Sequence, residues 1–383
     1  MALGGLAIGT TEFASMGLLP AFAHDLGASV PQAGGAISAY ALGVVVGAPV
    51  LAVAGARWPR KRMVLVLALA LAVTNIGSAL APTFGTFVAT RFLAGLPHGA
   101  YFGTASVLAA SLVPRERRPR AIATVMSGLM IANIVGVPGA TWLGQAAGWP
   151  AAYLATGAIA LITMAAVYLL VPDVREQRRG SVVAELSALR RGQVWITMAV
   201  IAAGFGGTFA VYSYITPVLT EVSGMAEYAI PVALAVFGVG MTLGNQVGGR
   251  LAELAPVRTI AVGMAVASLS TAVFALVAPS AVAAVAALFT LSFSSTATTP
   301  ALATRLMDAG REGPTLGAAL HHAAFNVSNA LGAAVGGLVL AAGWGWTSPA
   351  AVATILPLLG LATLAVAVRM ERAERRRDLA LAA

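Results

Sequence analysis

Long apolar runs alternate with short polar connections from one end of this chain to the other. Twelve runs are long enough to cross a hydrocarbon core of roughly 30 Å as helices. They cover residues 2–22, 34–54, 63–81, 86–110, 121–143, 151–171, 193–217, 229–249, 257–278, 281–304, 314–341 and 347–369. Glycine and proline interrupt several of them. In lipid this is tolerated, because neighbouring helices satisfy the freed backbone groups. The longest polar connection, residues 172–192, separates two sets of six, and the sets carry matching features. Gly43-xxx-Gly47 in the second run answers to Gly240-xxx-Gly244-xxx-Gly248 in the eighth, and Asn133-x-x-Gly136 in the fifth to Asn329-x-x-Gly332 in the eleventh. The pattern predicts an all-α integral membrane protein of twelve transmembrane helices in two six-helix halves related by a pseudo-two-fold axis. The expected parts are an N-terminal bundle at 1–171, a linker at 172–192, a C-terminal bundle at 193–369 and a tail at 370–383. A six-plus-six repeat is a recurrent transporter plan, with the substrate site between the halves near the midplane.

Composition agrees, and charge adds a direction. Of 383 residues, 59% are hydrophobic and 10% charged, against about 25% charged in a soluble domain. The net charge of +9 would suit a nucleic-acid partner, but its placement argues for topology instead. Of the 23 Lys and Arg, 22 fall in the alternate loops 55–62, 114–120, 172–192, 250–258 and 305–313 or in the tail from 369. The opposite loops carry only Asp25, Glu221 and Glu227 as charged groups. Under the positive-inside rule the basic loops face the cytoplasm, and so do both termini. The expected place is an inner (plasma) membrane, multi-pass, with both termini cytoplasmic. Ala21-Phe22-Ala23 has the form of a signal-cleavage site, but no basic residue precedes the apolar run and the run holds an acid, so it reads as a retained helix. There is no cysteine, which removes disulfide and thiolate chemistry. No phosphate-cradling Gly-x-x-x-x-Gly-Lys-Ser/Thr occurs, and Lys61 is the only lysine, which disfavours ATP-driven transport. No Gly-x-Ser-x-Gly occurs either, and nearly all the acids lie in loops. The chain reads as a non-enzyme needing no cofactor.

The candidate chemistry is the polar minority inside the apolar runs. Glu12 is the one acid in any of the twelve. A carboxyl at a helix centre costs roughly 2.5–3.5 kcal/mol on insertion scales, so it must face protein or a wet cavity, and it is a candidate proton carrier. Arg91 is its natural counter-charge; the alternative is an arginine that snorkels to the nearby interface. Arg91, Gly95, His98 and Phe102 share one helix face, which makes His98 a second titratable candidate. His322, Asn326 and Asn329 form a polar stripe on the eleventh run. It reads as a substrate wall or as interhelical hydrogen-bond glue, and it is a poor metal site because neither Cys nor acid accompanies it. Thr208, Tyr212 and Thr216 share a face of the seventh run. The tenth run is rich in hydroxyls between Ser292 and Thr299, which read more readily as packing devices. Thr11, Tyr101 and Asn133 complete the candidate cavity.

Five stretches together carry a family resemblance: Gly-Thr-Thr-Glu-Phe (9–13) with Gly-Leu-Leu-Pro (17–20), Arg-Trp-Pro-Arg-Lys-Arg (57–62), Thr-Arg-Phe-Leu-Ala-Gly-Leu-Pro-His-Gly-Ala-Tyr-Phe-Gly (90–103), Ala-Asn-Ile-Val-Gly-Val-Pro-Gly (132–139) and Phe-Asn-Val-Ser-Asn-Ala-Leu-Gly (325–332). The chain resembles the major facilitator superfamily over its full length, and within it the bacterial drug:proton antiporters of the arabinose-efflux and chloramphenicol-resistance type. The resemblance implies a role in proton coupling for Arg91 with Gly95. It also implies that Gly136, Pro138 and Gly139 are a reduced form of the antiporter motif of the fifth helix. The family's loop motif Gly-x-Leu-Ala-Asp-Arg departs in the first half, where Ala56 precedes Arg57. In the second half Gly249-Arg-Leu-Ala-Glu253 keeps it with Glu for Asp. The expected function is proton-coupled efflux of small organic molecules by alternating access, by a monomer whose partners are substrate, protons and the bilayer. A narrow sugar or nucleoside efflux permease is the alternative within transport, and a non-transporting membrane receptor the remote one.

Overall fold

The computed structural model describes residues 1–55, 58–173, 190–309 and 314–382. The described residues form helices and no strand. The first half comprises α1 (Ala2–Gly17), α2 (Leu19–Asp25), α3 (Val30–Gly55), α4 (Arg60–Ala79), α5 (Phe84–Ser111), α6 (Arg118–Ile131), α7 (Val137–Ala147) and α8 (Trp149–Leu170). The second comprises α9 (Gly192–Ser213), α10 (Ile230–Leu254), α11 (Pro256–Val277), α12 (Ala281–Ala297), α13 (Thr299–Ala309), α14 (Pro314–Ala341), α15 (Ser348–Ala353) and α16 (Ile355–Ala382). Ten described helical stretches are long and apolar enough to cross a membrane, and α1 with α2 makes an eleventh if counted as one bent span. The helix outside that set is α5, 28 residues long. Its Arg91, Pro97, His98 and threonines lower its hydropathy, yet it packs against α3 and α4 inside the bundle. Large side chains such as Val73, Leu169, Leu276 and Val282 are exposed on the outside, as lipid contact requires.

The helices are less continuous than the apolar runs suggest. The first run bends by 70° between α1 and α2, at Leu18. The seventh ends at Tyr214, followed by Ile215–Pro217 and a wide turn at Val218–Val222. These two breaks stand 196 residues apart, the same interval that separates Asn133 from Asn329. They also touch. Carbonyls freed at the first break, Met16 O and Gly17 O, accept from Thr216 Oγ1 at 3.3 and 3.1 Å. Another wide turn, Ala132–Gly136, joins α6 to α7.

The matching glycines do matching work. Gly43 and Gly47 let α3 cross α5 so closely that an added Cβ would strike Phe92 O and Leu96 O, while a Cβ on Gly95 would strike Tyr40 O. In the second half, Cβ atoms on Gly244 and Gly248 would strike Phe293 O and Ala297 O of α12. Small residues at such crossings let backbones approach within van der Waals range. Gly95→Ala is therefore expected to cost about 1–3 kcal/mol through overpacking, read as a lower unfolding midpoint in detergent. Gly85→Ala, which meets open space, should shift it by no more than about 0.5 kcal/mol equivalent.

The halves meet mainly through α3 on α14 and through α6–α7 on α10. At the end of the bundle bearing Asp25, Glu221 and Glu227 (the acidic end), Tyr214 is wedged against Gly34 and Gly336, with Oη donating to Ala333 O at 2.8 Å. Gln145 Nε2 donates to Glu227 O there at 2.8 Å. Ser38 Oγ donates to Ala330 O at 3.3 Å, and Ala48 packs on Ala323 towards the opposite, basic end.

Candidate functional site

Helix α1 is central: from Gly4 onwards nearly every residue is buried. Its polar side chains therefore point into protein whichever way they turn, and two groups of contacts grow from them.

The first is built around Arg91, which is 0% exposed. Its Nη1 donates to Thr11 Oγ1 at 2.7 Å and its Nη2 to Thr11 O at 2.8 Å. The guanidinium carbon lies 4.5 Å from the Tyr40 ring centroid and 5.2 Å from that of Tyr153. Thr11 Oγ1 in turn donates a hydrogen bond to Asn75 Oδ1 at 2.5 Å, and Asn75 Nδ2 donates to Leu71 O at 2.7 Å. Ser15 Oγ donates to Thr11 O and is 2.9 Å from Tyr153 Oη. The sequence expectation of an Arg91–Glu12 pair is not what the structure shows. Among the described residues no ion pair joins them, nor does Arg91 snorkel. A planar guanidinium can instead be held by a hydroxyl, a backbone carbonyl and two ring faces, each weaker than a carboxylate but all fixed in place.

The second group contains Glu12, which is 2% exposed. Its Oε1 accepts a long hydrogen bond, 3.5 Å, from Asn329 Nδ2 of the other half. Its Oε2 lies 3.9 Å from His98 Nδ1, which is also 3.1 Å from Tyr40 Oη. The His98 ring is 5.4 Å from that of His322, and His322 stacks on Phe102 at 5.0 Å and 1°. Asn326 Nδ2 donates to His322 O at 3.1 Å. Asn326 and Asn329 are each 0% exposed, and the Oδ1 of both lacks a hydrogen-bond partner. Two buried acceptors thus lack a partner, that of Asn329 on the side chain that meets the Glu12 carboxyl, and a proton, a water or a hydroxylated ligand would satisfy them.

Next to Glu12 along α1, Phe13 opens on a third feature. Phe13, Phe205, Phe209, Tyr212, Phe237 and Phe325 close around a space of about 10 Å³, with Thr208, Met241, Ser292 and Thr296 between them. That is room for about one water. Tyr212 stacks on Phe237 at 4.0 Å, and Thr208 Oγ1 and Ser295 Oγ are 2.6 Å apart. The chain is only 7% aromatic, so this concentration of rings was not evident from composition.

The structure thus brings Thr11, Glu12, Arg91, His98, Thr208, Tyr212, His322, Asn326 and Asn329 to one region. It does not bring Tyr101 or Asn133 there. Tyr101 Oη donates to Met1 O at 2.9 Å, and Asn133 Nδ2 donates to Leu129 O at 3.1 Å within the wide turn. Gly136 lies against Thr10 Oγ1, Pro138 sits in the first turn of α7, and Gly139 and Gly249 face open space. Glu253 is exposed near the end of α10, and Arg57 lies outside the described residues. Asn75, Tyr40, Tyr153 and Ser15 were missed. The signal for Asn75 was available, since it is the lone amide in the run 63–81, whose other polar side chains are only Thr74 and Ser78.

A multi-pass helical bundle with a polar, titratable seam between two similar halves is the build of a membrane transporter. The family model described as Major Facilitator Superfamily matches residues 1–319. The inner membrane transport protein YdhP of Escherichia coli (strain K12) is 36% identical over 371 residues, 97% of this chain and 95% of its own. The chloramphenicol resistance protein of Streptomyces lividans is 34% identical over 352 residues, 91% of this chain and 89% of its own. The crystal structure of a bacterial homolog of the human lysosomal transporter Spinster, inward-facing and unoccupied, superposes with a TM-score of 0.75 at 16% identity, covering 96% of each chain. The chain belongs to the major facilitator superfamily.

Proposed function

We propose that the protein is a proton-coupled exporter of small, largely apolar organic molecules. The observation that carries this reading is Glu12: a buried carboxyl at the contact between halves, bonded to Asn329 of one half and beside His98 of its own. Its protonation state is therefore read by both halves at once. Ionised, Glu12 accepts from Asn329 Nδ2. Protonated, it can donate instead to Asn329 Oδ1, which is otherwise without a partner. A proton shifts the equilibrium between conformers only by its differential affinity for them, and a group at the moving contact is placed to have one.

The ring-lined space beside Phe13 supports an apolar, aromatic-tolerant substrate. A space of about 10 Å³ is too small for one, so transport requires the halves to part and the rings to separate. The name of the Streptomyces lividans relative points the same way. The basic end is assigned to the cytoplasm, with both termini, by the positive-inside pattern. One chain holds the whole seam, so a monomer suffices. A narrower reading, export of a sugar or nucleoside, is favoured by the open acceptors of Asn326 and Asn329, which suit hydroxyl donors.

Purified protein in proteoliposomes with an imposed pH gradient separates the two. Gradient-dependent movement of lipophilic aromatic compounds, abolished by a protonophore, is expected. Movement of sugars or nucleosides alone would establish the narrower reading, and binding without counterflow of any labelled compound would remove transport.

A further inference from the structure

A second cavity, of about 660 Å³, lies at the basic end wholly within the C-terminal half, away from the contact between halves. Its walls are the starts of α9 and α11, one face of α13 and Glu371 of α16. Its volume falls in the range of about 300–1,000 Å³ typical of small-molecule sites. The transport reading makes no use of it.

Its lining is rich in donors. Both α9 and α11 are 22 residues long, and both begin at this cavity with no side-chain cap and no acid in the first turn. The leading N–H groups of such helices are unpaired within the helix and carry the positive end of the dipole; in α11 the first residue is Pro256, which has no N–H, so Val257 and Arg258 supply them. Three side chains of the wall add to them. Arg305 Nη1 is held by Glu371 Oε2 at 3.0 Å, but its Nε has no hydrogen-bond partner. Gln193 Nε2 has none either. Thr197 is 0% exposed and its Oγ1 is likewise unpartnered. Buried polar atoms are almost always satisfied, and these three, each shielded from solvent, lie in residues that wall one roomy cavity with hydrogen-bonding capacity to spare.

We propose that this cavity binds a phosphate group, the anion that helix N-termini and an arginine edge hold best. The carboxylate of Asp308 in the same wall restricts the rest of the ligand. It repels a second anion and accepts from hydroxyl or ammonium donors, so the class is a phosphate ester bearing such donors. A phospholipid headgroup and a free phosphate ester share that chemistry.

The full-length protein tests this in two arms. Native mass spectrometry would compare retention of phosphatidylglycerol and phosphatidylethanolamine with that of diacylglycerol, which has the same chains and no phosphate. Thermal unfolding would be followed against inorganic phosphate and glycerol phosphate. Thr197→Val and Arg305→Gln are each expected to weaken the interaction about tenfold, as loss of a charge-assisted hydrogen bond does. Headgroup-dependent retention that both variants lose identifies a lipid. Stabilisation by the soluble phosphates without headgroup preference identifies a free ester. If Arg305→Gln fails to fold for want of its pair with Glu371, Thr197→Val decides alone. The proposal is overturned if neither arm shows binding, or if the variants bind as well as the unaltered chain.

Discussion

Glu12→Gln is expected to abolish pH-gradient-driven efflux while leaving the protein folded, inserted and able to exchange substrate. The carboxamide is nearly isosteric and keeps an acceptor oxygen for Asn329 Nδ2, so the contact between halves survives. What is lost is the ability to gain and release a proton there. One proton crossing 100 mV is worth about 2.3 kcal/mol, enough at one-to-one stoichiometry to sustain roughly a fifty-fold gradient of a neutral solute. The variant should bring that accumulation ratio close to one in everted vesicles, whatever pH gradient is imposed. Counterflow of labelled substrate, which needs no energy, should persist and become insensitive to pH. Glu12→Asp should fall between, because a side chain one methylene shorter draws back from an amide already 3.5 Å away. Full gradient-driven accumulation by Glu12→Gln would move the proton site elsewhere, with His98 next in line.

How much of this was legible in the sequence follows from what a bilayer forbids. Backbone groups in hydrocarbon must be satisfied within the helix, so apolar run length alone located the membrane-spanning helices. The same rule exposed Glu12, His98 and Asn329, since a polar side chain on an apolar helix must have an interior reason. The bends were harder. Proline follows Leu18 by two residues, but nothing local announces that Tyr214 ends a helix; Thr216 bonding to α1 across the halves reveals why a break is useful there. The partner of Arg91 was misjudged because the search was for a charge, whereas the structure supplies a hydroxyl, a carbonyl and two rings. The chamber of rings was hidden for another reason. Only Phe205, Phe209 and Tyr212 share a helix; Phe13, Phe237 and Phe325 come from three others, and their convergence exists only in the folded chain.

Thr11→Val tests that revised place of Arg91, and it is expected to be far more damaging than its shape suggests. Valine fills the same volume, yet it removes the acceptor 2.7 Å from Arg91 Nη1 and the donor to Asn75 Oδ1 in one step. A hydrogen bond to a charged group contributes about 1.5–3 kcal/mol, and a buried polar group left unpaired costs a further 1–3. A loss of about 3 kcal/mol or more is therefore expected, seen as a lower unfolding midpoint in detergent. Thr11→Ser keeps the oxygen and should cost less than about 1 kcal/mol. If Thr11 instead served mainly to contact substrate, both variants would change KM and neither would move the midpoint. Arg91→Lys should resemble Thr11→Val, because an ammonium cannot reach Thr11 Oγ1 and Thr11 O together in the geometry of a planar fork. The double variant Thr11→Val with Arg91→Met is the sharper test. Removing both partners leaves no uncompensated charge, so it should be less destabilised than the two single changes added together, by about 0.5–3 kcal/mol. Simple additivity would mean that Arg91 draws its stability from something other than Thr11.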